Sequence, residues 1–176
     1  MTDLKEKASK IKLMAFDVDG VFTDGSLTFG EDGKEYKTFN AKDGQGIVML
    51  TKLGINVAII TARSSTIVQK RAADLGIQHV YQGVTNKLEK LEELRNMLGL
   101  TYDQIAYMGD DLPDIQILQK VAIKACPNDA VDEVKKVCNF KSKYNGGRGA
   151  VRELTDCIYY PAKIIAEKKS IDLKPM

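Results

Sequence analysis

Lys12-Leu13-Met14-Ala15-Phe16, followed without a break by Asp17-Val18-Asp19-Gly20, is the stretch on which the fold turns. The apolar run reads as a strand buried on both faces, and such strands belong to parallel sheets covered by helices. Two carboxylates at its carboxyl end stand where open α/β sheets keep their ligands. The same pattern returns downstream. Asn56–Ile60 reads as a strand delivering Thr61-Ala62-Arg63, and Ile105–Met108 as one delivering Gly109-Asp110-Asp111, with Asp114 three residues on. His79–Gln82 reads as a short strand, and the helix after it starts at Asn86-Lys87.

Amphipathic stretches alternate with these strands. Asp43–Leu53 places Ile47, Leu50 and Leu53 on one helical face and stops at Gly54; Ser65–Leu75 stops at Gly76. Lys87–Leu98 carries Leu88, Leu91, Leu94 and Leu98 in register and ends at Gly99, the residue that best closes a helix. Pro113–Lys120 reads as a helix, then Val121–Ala125, Ala130–Val137 and Cys138–Phe140 as strand, helix and strand, and Gly149–Lys168 as a long last helix. The tail from Lys168 to Met176 reads as mobile or partner-dependent. The expected fold class is therefore α/β, a Rossmann-like parallel sheet with helices on both faces. One insertion interrupts it. Residues 26–30 and 35–39 alternate around Glu31-Asp32-Gly33-Lys34, and Asp-Gly is a strong turn signal, so a β-hairpin is expected over about 26–39.

Composition narrows the function. The chain has 176 residues, about the size of one domain, and one domain over 1–176 is expected. Its net charge of +2 gives no clustered basic face, so no nucleic-acid partner is expected. No apolar run approaches the ~20 residues of a membrane span, and the charged N-terminus lacks the apolar core of a signal peptide. A cytoplasmic protein without membrane partners is the expectation. Cys126, Cys138 and Cys157 form no CxxC and read as free thiols rather than zinc ligands or disulfides. His79, the one histidine, stands at a strand start and reads as structural.

If the strands lie side by side, the carboxylates of Asp17, Asp19, Asp110 and Asp111, the Thr61 hydroxyl and the Lys87 ammonium converge on one crevice. Carboxylates this close cannot all ionise without a counter-charge. A hard divalent cation supplies it, and Mg²⁺ suits a site of one or two carboxylates, waters and a substrate phosphate. Thr61 and Lys87 are then left to hold phosphate oxygens. That combination is the apparatus of phosphoryl transfer, which works mostly by positioning and charge stabilisation. Asp114 can belong to this group or, as an early helix residue, favour the helix dipole.

Asp17-Val18-Asp19-Gly20-Val21, Thr61, Lys87 and Gly109-Asp110-Asp111-x-x-Asp114 resemble the four motifs of the haloacid-dehalogenase-like phosphatases, over residues 11 to about 125. The resemblance implies that Asp17 is the nucleophile that becomes an aspartyl-phosphate, and that Asp19 protonates the leaving oxygen and then activates water. It implies that Thr61 and Lys87 bind the transferring phosphoryl. Mg²⁺ would take the Asp17 and Asp110 carboxylates and the Asp19 backbone carbonyl. Asp111 would orient bound water or Lys87.

Members of that family usually carry a lid after the first motif or between the second and third. Here 41 residues separate Asp19 from Thr61 and 25 separate Thr61 from Lys87. The hairpin, one helix and a strand fill the first gap, and a helix and a strand the second. No cap domain fits, so cover is expected from another subunit. The hairpin, with Leu27, Phe29, Tyr36 and Phe39, is one candidate cover; the glycine-rich segment Tyr144–Glu153, whose glycines permit close approach to a ligand, is the other. The capless layout, with Ala41-Lys42-Asp43-Gly44-x-Gly46 and Gly146-Gly147-x-Gly149-Ala150-x-Arg152-Glu153, resembles a narrower group, phosphatases of 3-deoxy-D-manno-octulosonate 8-phosphate in lipopolysaccharide synthesis. That resemblance implies a homotetramer in which neighbours complete each site. It makes Arg63, Arg71, Asp43, Gly44 and Arg148 the expected substrate-binding residues; for Arg71 a surface ion pair is the other reading.

A sister group acts on the nine-carbon acid 2-keto-3-deoxynononate 9-phosphate. Arg63, where that group tends to have Glu, favours the eight-carbon acid, because a guanidinium grips carboxylates in bidentate fashion. Two other classes fit worse. A receiver domain needs its acidic phosphoacceptor after the third strand, where Gln82-Gly83-Val84 stands. A non-catalytic scaffold has no need of Asp17, Asp19, Lys87 and Asp110 together.

Overall fold

A computed structural model gives the fold of residues 2–172, the part of the chain described. Its centre is β1 (Leu13–Phe16), with all four residues buried. The further strands are β2 (Thr28–Phe29), β3 (Glu35–Tyr36), β4 (Asn56–Ile60), β5 (His79–Tyr81), β6 (Ile105–Met108), β7 (Ile123–Cys126) and β8 (Phe140–Lys141). The helices are α1 (Thr2–Lys10), α2 (Ala41–Lys52), α3 (Thr66–Asp74), α4 (Lys87–Met97), α5 (Ile115–Leu118), α6 (Asp132–Val137) and α7 (Ala150–Asp172).

Six strands form one parallel sheet in the order β5-β4-β1-β6-β7-β8. Leu13 pairs with Asn56 on one side and with Ile105 on the other, so β1 has β4 and β6 as neighbours. The chain moves outward from β1 to β5, then returns to β6 and moves outward the other way. That reversal is the switch point at which α/β sheets open a crevice beyond their strand ends.

Strand alternation divides the core. Met14 and Phe16 face a layer built with Ile47 and Leu50 of α2, Val68 and Ala72 of α3, and Val151, Leu154 and Ile158 of α7. Leu13 and Ala15 face Leu91 and Leu94 of α4, Ile117 and Leu118 of α5, and Val134 of α6. Each large apolar side chain buried this way contributes about 1.5–3 kcal/mol. Both faces of the sheet are covered, as the apolar run of β1 requires.

The α/β class, the strand order of events and the hairpin agree with the sequence expectation. Three details differ. The N-terminal segment forms α1, whose Ala8 is buried and whose Leu4 packs on the same layer as α7. The hairpin strands are only two residues each, joined by the Asp32-Gly33 turn. The Pro113–Lys120 stretch splits into a 3₁₀ turn, Leu112–Asp114, and α5. The tail expected after Lys168 lies outside the described residues beyond Asp172.

Two of the expected substrate residues have structural partners within their own chain. Asp43, in the first turn of α2, is 1 % exposed and accepts hydrogen bonds from the Arg152 amide at 2.8 Å and the Gly149 amide at 3.3 Å. It satisfies orphan amides at the start of α7, because a carboxylate there answers the positive helix end. Burial pushes the Asp43 carboxyl up, against the two amides that favour its ionised form. Gly44 leaves space for the Arg71 guanidinium, whose Nη2 lies 2.3 Å from where a Cβ would stand. Asp43→Ala is expected to cost about 1–2 kcal/mol and to lower Tm by about 2–8 °C. KM should stay unchanged, since the side chain does not line the pocket. Calorimetry with steady-state kinetics checks this; a raised KM at unchanged Tm would restore Asp43 to the substrate.

Candidate active site

The three central strands deliver their terminal residues to one pocket of about 280 Å³, lined by Asp17, Asp19, Thr61, Arg63, Lys87 and Asp110, among others. Asp17 follows β1, Thr61 follows β4 and Asp110 follows β6, so sheet order alone sets them side by side. Lys87 arrives from below as the first residue of α4. Asn86 caps that helix by accepting from the Glu89 amide at 3.2 Å, which fixes where Lys87 leaves the backbone.

Lys87 is the hub. Its Nζ donates to Asp17 Oδ2 at 2.6 Å and to Asp114 Oδ1 at 2.8 Å, and its side chain is nearly fully buried. Burial works against the ammonium, yet Asp114 and Asp17 outweigh it and hold Lys87 above its ordinary value. Asp114 is wholly buried and saturated. One oxygen takes Lys87 and the Tyr107 hydroxyl at 2.7 Å; the other takes the Asp110 and Asp111 amides at 3.0 and 3.3 Å. So Asp114, open between two readings in the sequence, orients Lys87. Asp111 does not: its Oδ1 accepts from the Leu112 amide at 2.7 Å, and it stands exposed at the pocket rim.

Oxygens of Asp17, Asp110 and Asp114 lie within 4.8 Å of one another. Asp114 is already spent on four donors. Asp110 is the reverse: its carboxylate accepts no hydrogen bond from the described residues, although it packs on the first-motif loop. Gly20, at φ +80°, makes that packing possible, since a Cβ there would stand 2.0 Å from Asp110 Oδ2. Burial first, then Asp114, Asp17 and Asp111, pushes the Asp110 carboxyl up to about 8, with Lys87 opposing. Burial and Asp114 likewise raise Asp17 against the pull of Lys87. A hard dication between Asp17 and Asp110 removes this repulsion, so the donor set fits Mg²⁺.

Arg63 lines the same pocket. Its Nε lies 3.5 Å from Asp19 Oδ2 and its Nη2 2.7 Å from Glu35 Oε1. Two expected substrate residues are not in their own chain's pocket. Arg71 packs over the Phe39 ring, 5.9 Å from its centroid, and Arg148 reaches Asp24 at 3.4 Å. Gly146 and Gly147 approach backbone of the first-motif loop: a Cβ on Gly146 would stand 1.9 Å from the Gly20 carbonyl oxygen. Phe39 packs against the core, leaving Leu27, Phe29 and Tyr36 as the exposed hairpin apolar residues, at 49, 58 and 56 %.

Sequence reasoning missed Tyr107, Glu35 and Lys37. Tyr107 looked like core on a buried strand; its hydroxyl needs a partner there, which was the available clue. Glu35 and Lys37 stand two apart, so in a strand they share a face opposite Tyr36, a pattern passed over for the apolar residues beside it.

Residues 76–154 match the family described as haloacid dehalogenase-like hydrolase. The chain is 41% identical over 156 residues to the 3-deoxy-D-manno-octulosonate 8-phosphate phosphatase of Escherichia coli K12, covering 89% of this chain and 83% of that protein. It is similar to the solved structure of a protein of that name from Yersinia pestis, with a TM-score of 0.90 and 39% identity over 93% of this chain and 89% of that one. The Moraxella catarrhalis phosphatase in complex with magnesium ion, phosphate ion and KDO gives a TM-score of 0.91 and 36% identity, covering 97% and 98%.

The raised Asp110 carboxyl predicts a pH-dependent site. Between about 4, the value of a free Asp, and about 8 the folded metal-free chain keeps a proton that the unfolded chain has lost. Metal-free stability therefore falls as pH rises through that window. Mg²⁺ needs the deprotonated carboxylate, so its affinity should rise by up to about tenfold per pH unit from 6 to 8 and then level off. Titration calorimetry and melting curves with and without Mg²⁺ check both. A metal-free Tm that climbs from pH 6 to 8 contradicts the assignment.

Proposed function

The chain belongs to the 3-deoxy-D-manno-octulosonate 8-phosphate phosphatases, among the haloacid dehalogenase-like hydrolases, and from that premise we propose how its residues carry out the reaction. It is a Mg²⁺-dependent phosphatase releasing phosphate from 3-deoxy-D-manno-octulosonate 8-phosphate. The observation that carries the reading is the Lys87 ammonium, set between Asp17 and Asp114 beside the Asp110 carboxylate, which accepts no hydrogen bond from the described residues.

Asp17 attacks phosphorus through a carboxylate oxygen as the bond to the sugar oxygen breaks. Asp19 gives its proton to that leaving oxygen. Water then attacks the aspartyl-phosphate, Asp19 takes the water's proton, and phosphate departs with Asp17 restored. Thr61 and Lys87 hold phosphoryl oxygens through both steps, so the charge on them meets donors already in place. The Asp17 and Asp110 carboxylates and the Asp19 carbonyl would hold Mg²⁺, which when bound neutralises phosphoryl charge. Arg63, at the mouth, takes the sugar acid's carboxylate.

The chain acts as one domain over 1–176 in the cytoplasm, at a step of lipopolysaccharide synthesis, as a homotetramer whose neighbours close the pocket. The exposed Leu27, Phe29 and Tyr36 support that cover, because two large apolar residues on a four-residue ladder and a third just before it have too little of their own chain to bury against. Arg71 and Arg148, absent from their own chain's pocket, act on substrate across a subunit boundary.

Asp19→Asn should slow turnover by about 100-fold or more while calorimetry still detects Mg²⁺ binding; near-full turnover would remove Asp19 from the mechanism. A phosphate-release comparison on eight- and nine-carbon 2-keto-3-deoxy acid phosphates should favour the eight-carbon substrate, and equal rates would defeat the role of Arg63. In sedimentation equilibrium the wild type should weigh four chains, and Phe29→Asp with Tyr36→Asp should weigh fewer and lose about tenfold or more in kcat/KM. A wild type of one-chain mass at full turnover overturns the shared pocket.

A further inference from the structure

We propose that the hairpin takes part in its own chain's chemistry through Lys37, a positioning residue that fixes the orientation of the Asp19 carboxylate; this rests on the reading of Asp19 as acid and base. Lys37 follows β3 on a ribbon whose Leu27, Phe29 and Tyr36 side chains face water. Its own side chain is 1 % exposed. Nζ donates to Asp19 Oδ1 and lies 3.3 Å from Glu35 Oε1. The second Asp19 oxygen, Oδ2, lies 3.5 Å from Arg63 Nε, and Arg63 Nη2 returns to Glu35 Oε1 at 2.7 Å. Two carboxylates and two cations therefore alternate around a closed ring, drawn from the first-motif loop, the hairpin and the loop after β4.

The physical case is over-determination. Asp19 must hold one oxygen within hydrogen-bond reach of the leaving oxygen, and later of the attacking water, although two torsions leave a free carboxylate to swing. The Lys37 hydrogen bond on one oxygen and the Arg63 guanidinium paired with the other, from two separate elements, restrict that freedom. A lysine on an exposed hairpin ordinarily keeps its ammonium in water, and ordering it forfeits side-chain entropy. Its burial against Asp19 is thus a specific interaction rather than a default. Glu35 balances the two cations and lets Lys37 and Arg63 share the site without mutual repulsion. The arrangement also ties the hairpin to the chemistry: a displaced hairpin takes Lys37 away from Asp19.

Steady-state and rapid-mixing kinetics on the full-length Mg²⁺ enzyme test this. Lys37→Met should lower kcat on the sugar-acid phosphate by about 30–100-fold with KM within about threefold, and Lys37→Arg should recover to within about fivefold of wild type. With p-nitrophenyl phosphate, whose leaving group needs little protonation, Lys37→Met should release one nitrophenolate per site quickly and then turn over slowly. If Lys37→Met does not melt cooperatively, Lys37→Gln, which keeps a donor without the charge, is read in its place. A KM raised about tenfold with kcat retained would make Lys37 a substrate contact and overturn the proposal, as would unchanged kinetics. Asp19→Asn separates the two levels: inactive Asp19→Asn with unaffected Lys37→Met removes only Lys37, whereas active Asp19→Asn removes the underlying reading as well.

Discussion

Crowding of negative charge beyond β1 and β6 is the constraint from which the rest of the molecule follows. Asp17, Asp110 and Asp114 bring oxygens within 4.8 Å of one another in a largely buried crevice, and in water-poor surroundings such repulsion is severe. Lys87 relieves part of it by bridging Asp17 and Asp114. Tyr107 and two backbone amides fill the rest of Asp114. What remains uncompensated is Asp110, and that remainder is the property a phosphatase needs. It draws in a dication, and the dication in turn makes a doubly charged phosphate a tolerable guest beside four aspartates.

The scaffold can be read as the means of holding that charge in place. Asn86 fixes the start of α4 and so the root of Lys87. Gly20 lets the first-motif loop lie against Asp110. Asp43 secures the start of α7, whose preceding glycines wrap the same loop from the other side. The residues expected to bind substrate and those found to brace the loop were hard to separate in the sequence because both must sit close to the first motif.

Much of the fold was legible because the strands are short, apolar and punctuated. β4 and β6 match their expected limits, and the polar residues at their ends, Thr61 and Arg63 after β4 and Asp110 and Asp111 after β6, marked the crevice before any sheet order was known. Asp17, Asp19, Thr61, Lys87 and Asp110 announce themselves by position at strand and helix ends. What was not legible depends on three-dimensional partners. Tyr107 is indistinguishable from core until Asp114 folds back over it. Lys37 resembles any hairpin lysine until the ribbon lies down on Asp19. Asp43 and Gly44 carry a motif-like spacing, yet Asp43 serves the α2–α7 junction with residues more than a hundred positions away, and Gly44 makes room for Arg71 of α3. Local patterns name the chemistry; long-range contacts decide which neighbours serve it.

The pairing of β1 bears on how the protein comes into being. The first strand made has no partner until Asn56–Ile60 has been synthesised, and its other flank waits for Ile105–Met108. The first-motif loop is not braced until residues 145–152 have followed. A nascent chain emerging from the ribosome therefore exposes an apolar β1 through most of its synthesis, with contacts of high sequence separation still to close. The nucleophile is made before the strands and the loop that frame it. A partly made chain thus carries the nucleophile without the lysine and carboxylates that give it its setting.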